Sequence, residues 1–299
     1  MSHNTDHFKG LMLAAIGGMA LTIDIPLIRL SEGNTWSILL LRCAATFVAA
    51  ILMWSVWRML SSKAPALIPG RTGLIVAILY GISSIAFMTA VFNTSTANLV
   101  FILAFNTAFA AVLSWIFLKE RPSRATLIAI AAMIVGVGII VGDSIGTGNL
   151  FGDFMALVAG FFIACAITTS RASGKDMGFT PLIGVLFPGL VALAFVSQGG
   201  YRIDHPWWII FNGAIIMPIA FYCLGAAPRF ISGAEVAMFY LLETVLAPVW
   251  VWLIFSEAPT RNSLIGGLIL IVALVAHSVW QLFNGRRRRR ASAEISYPI

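Results

Sequence analysis

Ten stretches of mostly apolar residues follow one another along this chain, at approximately 9–30, 36–58, 72–92, 97–117, 124–142, 152–171, 180–198, 207–227, 233–255 and 262–283. Each approaches the ~20 residues a helix needs to cross about 30 Å of hydrocarbon. The breaks between them carry turn residues, among them Ser31 to Asn34, Pro65 to Gly70, Lys119 to Ser123 and Gly146 to Asn149. With 60% hydrophobic and only 10% charged residues, too few charges remain to coat a water-facing surface, for which about 25% is usual. Lipid must cover the outside. The expected fold class is therefore an all-α integral membrane protein of ten transmembrane helices. The first run begins near Phe8 behind a short tail holding Asp6 and His7, lacks a strongly positive leader, and reads as a retained span rather than a signal peptide.

Lysine and arginine set the expected orientation. With the N-terminus inside, the cytoplasmic segments hold Lys9; Arg58, Lys63 and Arg71; Lys119, Arg121 and Arg124; Arg171 and Lys175; Arg229; and the run Arg286 to Arg290. The other side holds only Arg29, Arg202 and Arg261. This imbalance places both termini in the cytoplasm and the chain in the cytoplasmic (inner) membrane. The net charge of +7 is thereby located. Its largest share is a tail suited to stopping transfer and meeting anionic headgroups of the lipid bilayer. No aromatic platform accompanies it, so no nucleic-acid partner is expected. Cys43, Cys165 and Cys223 lie singly in apolar runs and read as packing residues, not as disulfides or metal ligands.

An internal repeat comes next. FLKERPSRATLIAIAAMIV, at the end of the fourth run and into the fifth, is answered by IFSEAPTRNSLIGGLILIV around the ninth and tenth. A shift of 137 positions sets Glu120 on Glu257, Pro122 on Pro259, Arg124 on Arg261, Leu127 on Leu264, Thr107 on Thr244 and Trp115 on Trp252. A shift of 142 sets Gly10, Gly18 and Arg29 on Gly152, Gly160 and Arg171. Proline beside an acidic residue in a first helical turn is ordinary by itself; the ordered set is not. Each half has five spans, an odd number, so the second must be inserted upside down. The expected units are residues 1–143, 144–284 and a basic tail at 285–299. Inverted repeats of this kind characterise carriers, with a site near the midplane.

The paired FLKERPS and FSEAPTR motifs, each after an aromatic-rich span of a duplicated ten-span chain, resemble the drug/metabolite transporter superfamily, and within it the EamA-type ten-helix exporters. The likeness covers essentially the whole chain. It is nearest to bacterial exporters of amino acids, aromatic ones in particular, and implies export of a small-molecule substrate by alternating access with no cofactor. The family pattern has a proline in the span before each acidic motif. Pro248 supplies it in the second half, where the first half has Ala111, so the fourth span is expected to bend differently or to be straighter.

Ionisable groups inside spans cost about 2.5–3.5 kcal/mol each at the bilayer centre on insertion scales, and so point to function. Asp24, Arg42, Glu235, Glu243 and His277 are such groups. The 137 shift aligns Asn98 with Glu235 and Asn106 with Glu243, so both halves set polar side chains at matching depths. The members of each pair are eight residues apart, about 80° around a helix, and can line one broad face. Tyr80, Tyr222 and Tyr240 add phenols that need a polar partner or water. The expected substrate-binding set is thus Tyr80, Asn98, Asn106, Tyr222, Glu235, Tyr240 and Glu243, with Glu243 and Asp24 as candidates for coupling. Plainer readings stand beside these. Glu235 also suits a helix start, Asp24 also suits pairing with Arg42, and His277 suits packing.

Helix breakers mark Gly81 and Pro218, aligned by the 137 shift, as expected hinges, with Pro26, Pro188 and Pro228 as further irregularities. Gly138 and Gly142 are expected to allow close helix packing. Trp36, Trp57, Trp207, Trp208 and Trp280 lie at span ends, as an interfacial belt would. Gly142-Asp143-Ser144-Ile145-Gly146 spells G-x-S-x-G, which serves catalysis only on a strand-to-helix elbow; here a turn between spans is expected. Neither a zinc-binding helix motif nor a Walker A loop occurs. An intramembrane enzyme would need nucleophile, base and acid at one depth, and a channel would need a pore-lining charge ladder. A carrier of small organic molecules, amino acids or cationic drugs, is the reading that uses every feature.

Overall fold

The computed structural model describes the backbone of residues 2–60, 66–175, 177–227, 230–231 and 233–295. Pro228 and the side chains of Arg286 to Arg290 lie outside the described residues. Ten helices are long and apolar enough to cross a membrane: His7–Leu30, Thr35–Leu60, Gly70–Val91, Thr96–Leu118, Arg124–Ile145, Leu150–Ser173, Thr180–Gly199, Pro206–Leu224, Met238–Phe255 and Arg261–Phe283. They are called spans one to ten below. The described residues contain no named strand, only an isolated bridge between Gly33 and Ile203. An even number of spans brings both ends of the chain to one end of the bundle, the terminal end.

Prolines interrupt these helices where lost N–H groups require it. A proline in a helix leaves the carbonyl four residues earlier without its donor. Pro26 does this to Thr22, where the first helix ends, and Pro188 to Gly184, where span seven breaks before Val185. Pro218 follows a π-helical turn, Asn212–Ile216, in span eight. Its missing bond falls on Ala214, inside that turn. The two spans that precede the acidic motifs differ. Span four is broken at Phe105, between Thr96–Ala104 and Asn106–Leu118, although it lacks the family proline. Gly233–Phe255 runs through Pro248 as one helix. Gly81 lies in the unbroken helix Gly70–Val91, where a Cβ would meet Phe187 Cδ1 at 2.7 Å and Pro188 Cδ at 3.0 Å. It is a close-packing point against span seven.

Span starts are set by side-chain caps that satisfy free N–H groups. Ser95 Oγ accepts from Asn98 N–H at 3.2 Å before span four, and Ser123 Oγ from Thr126 N–H at 3.1 Å before span five. The latter helix runs on to Thr147 and ends at Gly148, with φ +78°, past the boundary expected after Asp143. Gly142 to Gly146 are therefore helical, not a turn. Side-by-side packing joins span one with spans eight and nine, span three with span six, span four with span six, span two with span seven and span five with span ten. Ile38, Leu39, Met88, Leu99, Ile102, Ile140 and Leu270 are fully buried in the largest cluster. Phe117, Ile128, Leu190, Leu268 and Phe283 are exposed, as a lipid-covered surface requires.

Glycines set the tightest approaches. Gly136 and Gly266 face each other, each Cβ position within 2.8 Å of the other's carbonyl oxygen. Gly138 and Gly142 have open space beside them, because two residues turn a helix by about 200°, so the packing role expected of them falls to Gly136. Gly152 is confined by backbone: a Cβ there would lie 2.3 Å from the Asn93 carbonyl carbon and oxygen. Gly152→Ala is expected to cost about 1–3 kcal/mol by overpacking, read as a lowered thermal midpoint in detergent, whereas Gly142→Ala leaves that midpoint unchanged.

Candidate functional site

Two buried polar clusters and one set of unpartnered polar side chains occupy the interior. The first cluster joins spans one, two and eight. Arg42 Nη2 donates to both Asp24 oxygens at 2.9 Å, and Arg42 Nε donates to Asn212 Oδ1 at 3.0 Å. Asn212 Nδ2 returns to Asp24 Oδ1 at 2.6 Å. The guanidinium also meets Met217 Sδ at 3.1 Å and lies 5.7 Å from the Phe87 ring centre. Asp24, Arg42 and Asn212 are all buried. Asn212 begins the π-helical turn, so the irregularity in span eight coincides with the polar cluster, a frequent association at functional positions. Asp24 pairs with Arg42, the plainer of its two expected roles.

The second cluster lies at the end of the bundle opposite the termini. Asp153 accepts from Thr94 Oγ1 and Ser144 Oγ, both at 2.5 Å; Asn98 Nδ2 donates to Ser144 Oγ at 3.0 Å, and Asn98 Oδ1 accepts from Ser263 Oγ at 2.5 Å. Asp153, Asn98, Ser144 and Ser263 are buried. Asn98 is thus committed to this network and does not face Tyr80 or Glu243. Ser144 of the G-x-S-x-G pattern is held here beside a carboxylate with no histidine among these partners. Asp153→Ala would strand up to three donors, and a buried unsatisfied group costs about 1–3 kcal/mol. The expected result is a lower thermal midpoint, with Asp153→Asn between the alanine variant and the wild type.

The same end is clasped by Arg29 and Glu257. Arg29 Nη1 pairs with Glu257 Oε2, Arg29 Nη2 donates to the Val91 and Thr94 carbonyls at 3.4 and 3.2 Å, and Glu257 Oε1 accepts from Thr96 N–H at 3.1 Å. At the terminal end the ion pairs are more exposed. Arg171 donates to Glu120 at 3.2 and 3.3 Å, with both side chains more than half exposed. His7 meets Glu235 at 3.1 Å, so Glu235 is paired near its helix start. Thr126 and His277 meet at 3.0 Å.

Between the two ends, four of the expected residues remain unpartnered. Tyr80, Asn106 and Glu243 sit close to the midpoints of Gly70–Val91, Thr96–Leu118 and Gly233–Phe255. Neither they nor Tyr240 hydrogen-bond to any described residue, and all four keep accessible surface, 43% for Tyr240. Glu243 lies within electrostatic reach of Asp24 and Arg42, and Tyr240 of Tyr80 and Glu243. Tyr222 is elsewhere, near the terminal end of span eight, edge-on to Trp57 at 5.8 Å. Asn106 adjoins Gly160 and an aromatic run in which Phe105, Phe109 and Phe161 meet edge to face. A cleft of about 730 Å³ at the opposite end's surface, lined by Asn34, Trp36, Arg202 and Asp204 among others, contains none of the expected residues.

The ten apolar spans form an architecture with known relatives. The model of the EamA-like transporter family matches residues 8–142 and 150–279. The chain belongs to the EamA-like transporter family. Its ten apolar helices are those of a multi-pass membrane protein, in a family that lies within the drug/metabolite transporter superfamily. It is 25% identical over 171 residues to the uncharacterized transporter YdfC of Bacillus subtilis (strain 168), covering 54% of this chain and 56% of that one. It is 21% identical over 208 residues to the uncharacterized transporter sll1164 of Synechocystis sp. (strain ATCC 27184 / PCC 6803 / Kazusa), covering 62% and 59%. The aligned part spans less than two thirds of either relative. A solved crystal structure shares the fold at a TM-score of 0.61 and 14% identity, covering 93% of this chain and 98% of that one.

Sequence reasoning about this EamA-like transporter missed Asn212 and Asp153, the centres of its two buried clusters. Asn212 carried a signal, being an amide within an apolar run like Asn98 and Asn106. Asp153 did not, because an acid in the first turn of a helix suits the dipole without further partners.

Proposed function

We propose that this transporter moves small organic metabolites, amino acids including aromatic ones, out of the cytoplasm by alternating access between two inverted five-helix halves. One observation carries the reading: Tyr80, Asn106, Tyr240 and Glu243 are polar groups at mid-helix depth with no hydrogen-bond partner among the described residues. Such groups are costly in an apolar interior unless water or a ligand satisfies them. Aromatic walls with a few placed polar groups suit a small, partly apolar solute. Glu243, and Asp24 beside it, are the coupling candidates.

Helix packing supports the inverted halves. Exchanging spans one to five with six to ten turns the pairing of three with six into that of eight with one, and four with six into nine with one; both members of each exchange occur. Gly10 abuts Phe230 and Ile231, while Gly152 abuts Asn93 and Thr94, residues that the two repeat shifts interchange. The same exchange relates Arg29–Glu257 to Arg171–Glu120. The first pair is the less exposed and is tied to two carbonyls and an N–H; the second is open to solvent. That asymmetry fits a state closed opposite the termini, with the terminal end facing the cytoplasm.

A second reading, export of organic cations, is favoured by Glu243, a carboxylate at mid-helix depth with no ion pair to a described residue. The test is uptake of labelled tryptophan, phenylalanine and a cationic drug into proteoliposomes, with and without a pH gradient. Saturable movement of the amino acids, competed by related ones, is the expected result. Movement of the drug alone selects the second reading, and movement of neither overturns both.

A further inference from the structure

Asp24, Arg42 and Glu243 carry formal charge inside the bundle, and the first two cancel. Asp24 and Arg42 share two contacts of 2.9 Å, and Asn212 occupies both the remaining Nε donor and an Asp24 oxygen. The positive charge is therefore held and already answered. Glu243 has no such answer, since no hydrogen bond or ion pair to a described residue engages it. Its charged neighbours are the members of the balanced pair, and its other ionisable neighbour is Tyr240, next to Tyr80. Tyr240 precedes Glu243 by three residues, which puts the two on adjoining faces of one helix.

We propose that Glu243 is the receptor for a protonated amine on the substrate, with Tyr240 three residues before it on the same helix. The inference rests on the carrier reading and narrows its substrate class. Glu243 is a carboxylate in excess of the balanced Asp24–Arg42 pair, and a lone charge at this depth is costly until a counter-charge arrives. An ammonium supplies that charge and three donors, and tyrosine faces attract it further. An organic anion without an amine would meet the excess carboxylate, with the guanidinium already taken by Asp24. Arg42 Nη1 alone makes no hydrogen bond to a described residue. A zwitterion has that one place for its carboxylate, and a monocation has no need of it. Amino acids and organic amines thus share the ammonium contact and differ at Arg42.

Three compounds of one skeleton separate these possibilities: phenylalanine, phenethylamine and 3-phenylpropionate. Each is measured by thermal shift on purified protein in detergent and by flux into proteoliposomes, for wild type, E243Q and E243D. Phenethylamine is expected to raise the wild-type midpoint and to be transported, and 3-phenylpropionate to do neither. E243Q is expected to lose at least about tenfold in amine binding and flux while eluting as a monodisperse peak, with E243D intermediate. Phenylalanine handled as well as phenethylamine assigns the site to zwitterions, and phenethylamine alone to monocations; either supports the receptor. Wild-type amine handling by E243Q, equal handling of 3-phenylpropionate, or no amine binding by wild type overturns it. Amine binding lost in E243Q but without flux in any liposome keeps the receptor and removes the carrier reading. Flux insensitive to Glu243 does the reverse.

Discussion

Replacing Arg42 by alanine is expected to destabilise the protein by about 3–5 kcal/mol, the usual cost of removing one partner of a buried ion pair. Asp24 would be left buried with only Asn212 as a donor, its carboxylate stripped of both 2.9 Å contacts. The loss spreads because the cluster joins spans one, two and eight, and a Cβ at Gly213 would already lie 2.7 Å from the Arg42 carbonyl oxygen. Arg42→Ala is therefore expected to yield little monodisperse protein by size-exclusion chromatography and a strongly lowered thermal midpoint. Arg42→Lys recovers only part, because an ammonium cannot reproduce the guanidinium's geometry toward Asp24 and Asn212 together. The double variant Asp24→Leu with Arg42→Met is expected to be more stable than Arg42→Ala, since replacing both charges removes the desolvation cost with the attraction. An Arg42→Ala protein as stable as wild type would show that the cluster does not hold these spans together.

Glu257→Arg carries the second large effect. It sets a cation against Arg29 in a partly buried contact and removes the acceptor of Thr96 N–H. Like charges placed face to face cost several kcal/mol, and each ~1.4 kcal/mol is tenfold in an equilibrium. Transport is expected to fall at least about tenfold as closure opposite the termini is lost. Adding Arg29→Glu restores part of it: opposite charges face again, but the Val91 and Thr94 carbonyls then meet a carboxylate where they had a guanidinium. Glu120→Arg, in the repeat-related but half-exposed pair with Arg171, is expected to stay within about 1 kcal/mol in stability, the range of surface pairs. Initial rates in proteoliposomes, normalised to reconstituted protein, check both. Equal losses in the two variants would remove the asymmetry between the ends.

The polar residues inside the spans were legible beforehand because insertion into lipid makes them conspicuous. Glu243, Tyr80, Tyr240 and Asn106 stood out as groups that an apolar span does not accept without reason, and all four lie unpartnered in the bundle. Asn98 stood out for the same reason, yet its amide belongs to the Asp153 network. Depth along a helix follows from counting residues, but the direction a side chain meets its neighbours depends on how the helices are rotated against one another. Breaks follow the same division. Pro26, Pro188 and Pro218 act locally through a missing N–H and were visible in advance. The break at Phe105 and the unbroken helix through Pro248 follow from packing that no local residue reports.

The amino-acid sequence by itself determined the ten spans, the all-helical class and the family, because hydrophobic length, turn residues and the ordered repeat are written along the chain. Only the tertiary structure decided which polar residues are spent on one another and which are free. Asp24, Arg42 and Asn212 come from three different spans and meet as a balanced cluster, which leaves Glu243 without a partner among the described residues. Composition counts charges, but their pairing depends on contacts between helices distant in sequence, and in a low-dielectric interior that pairing sets what each charge can bind.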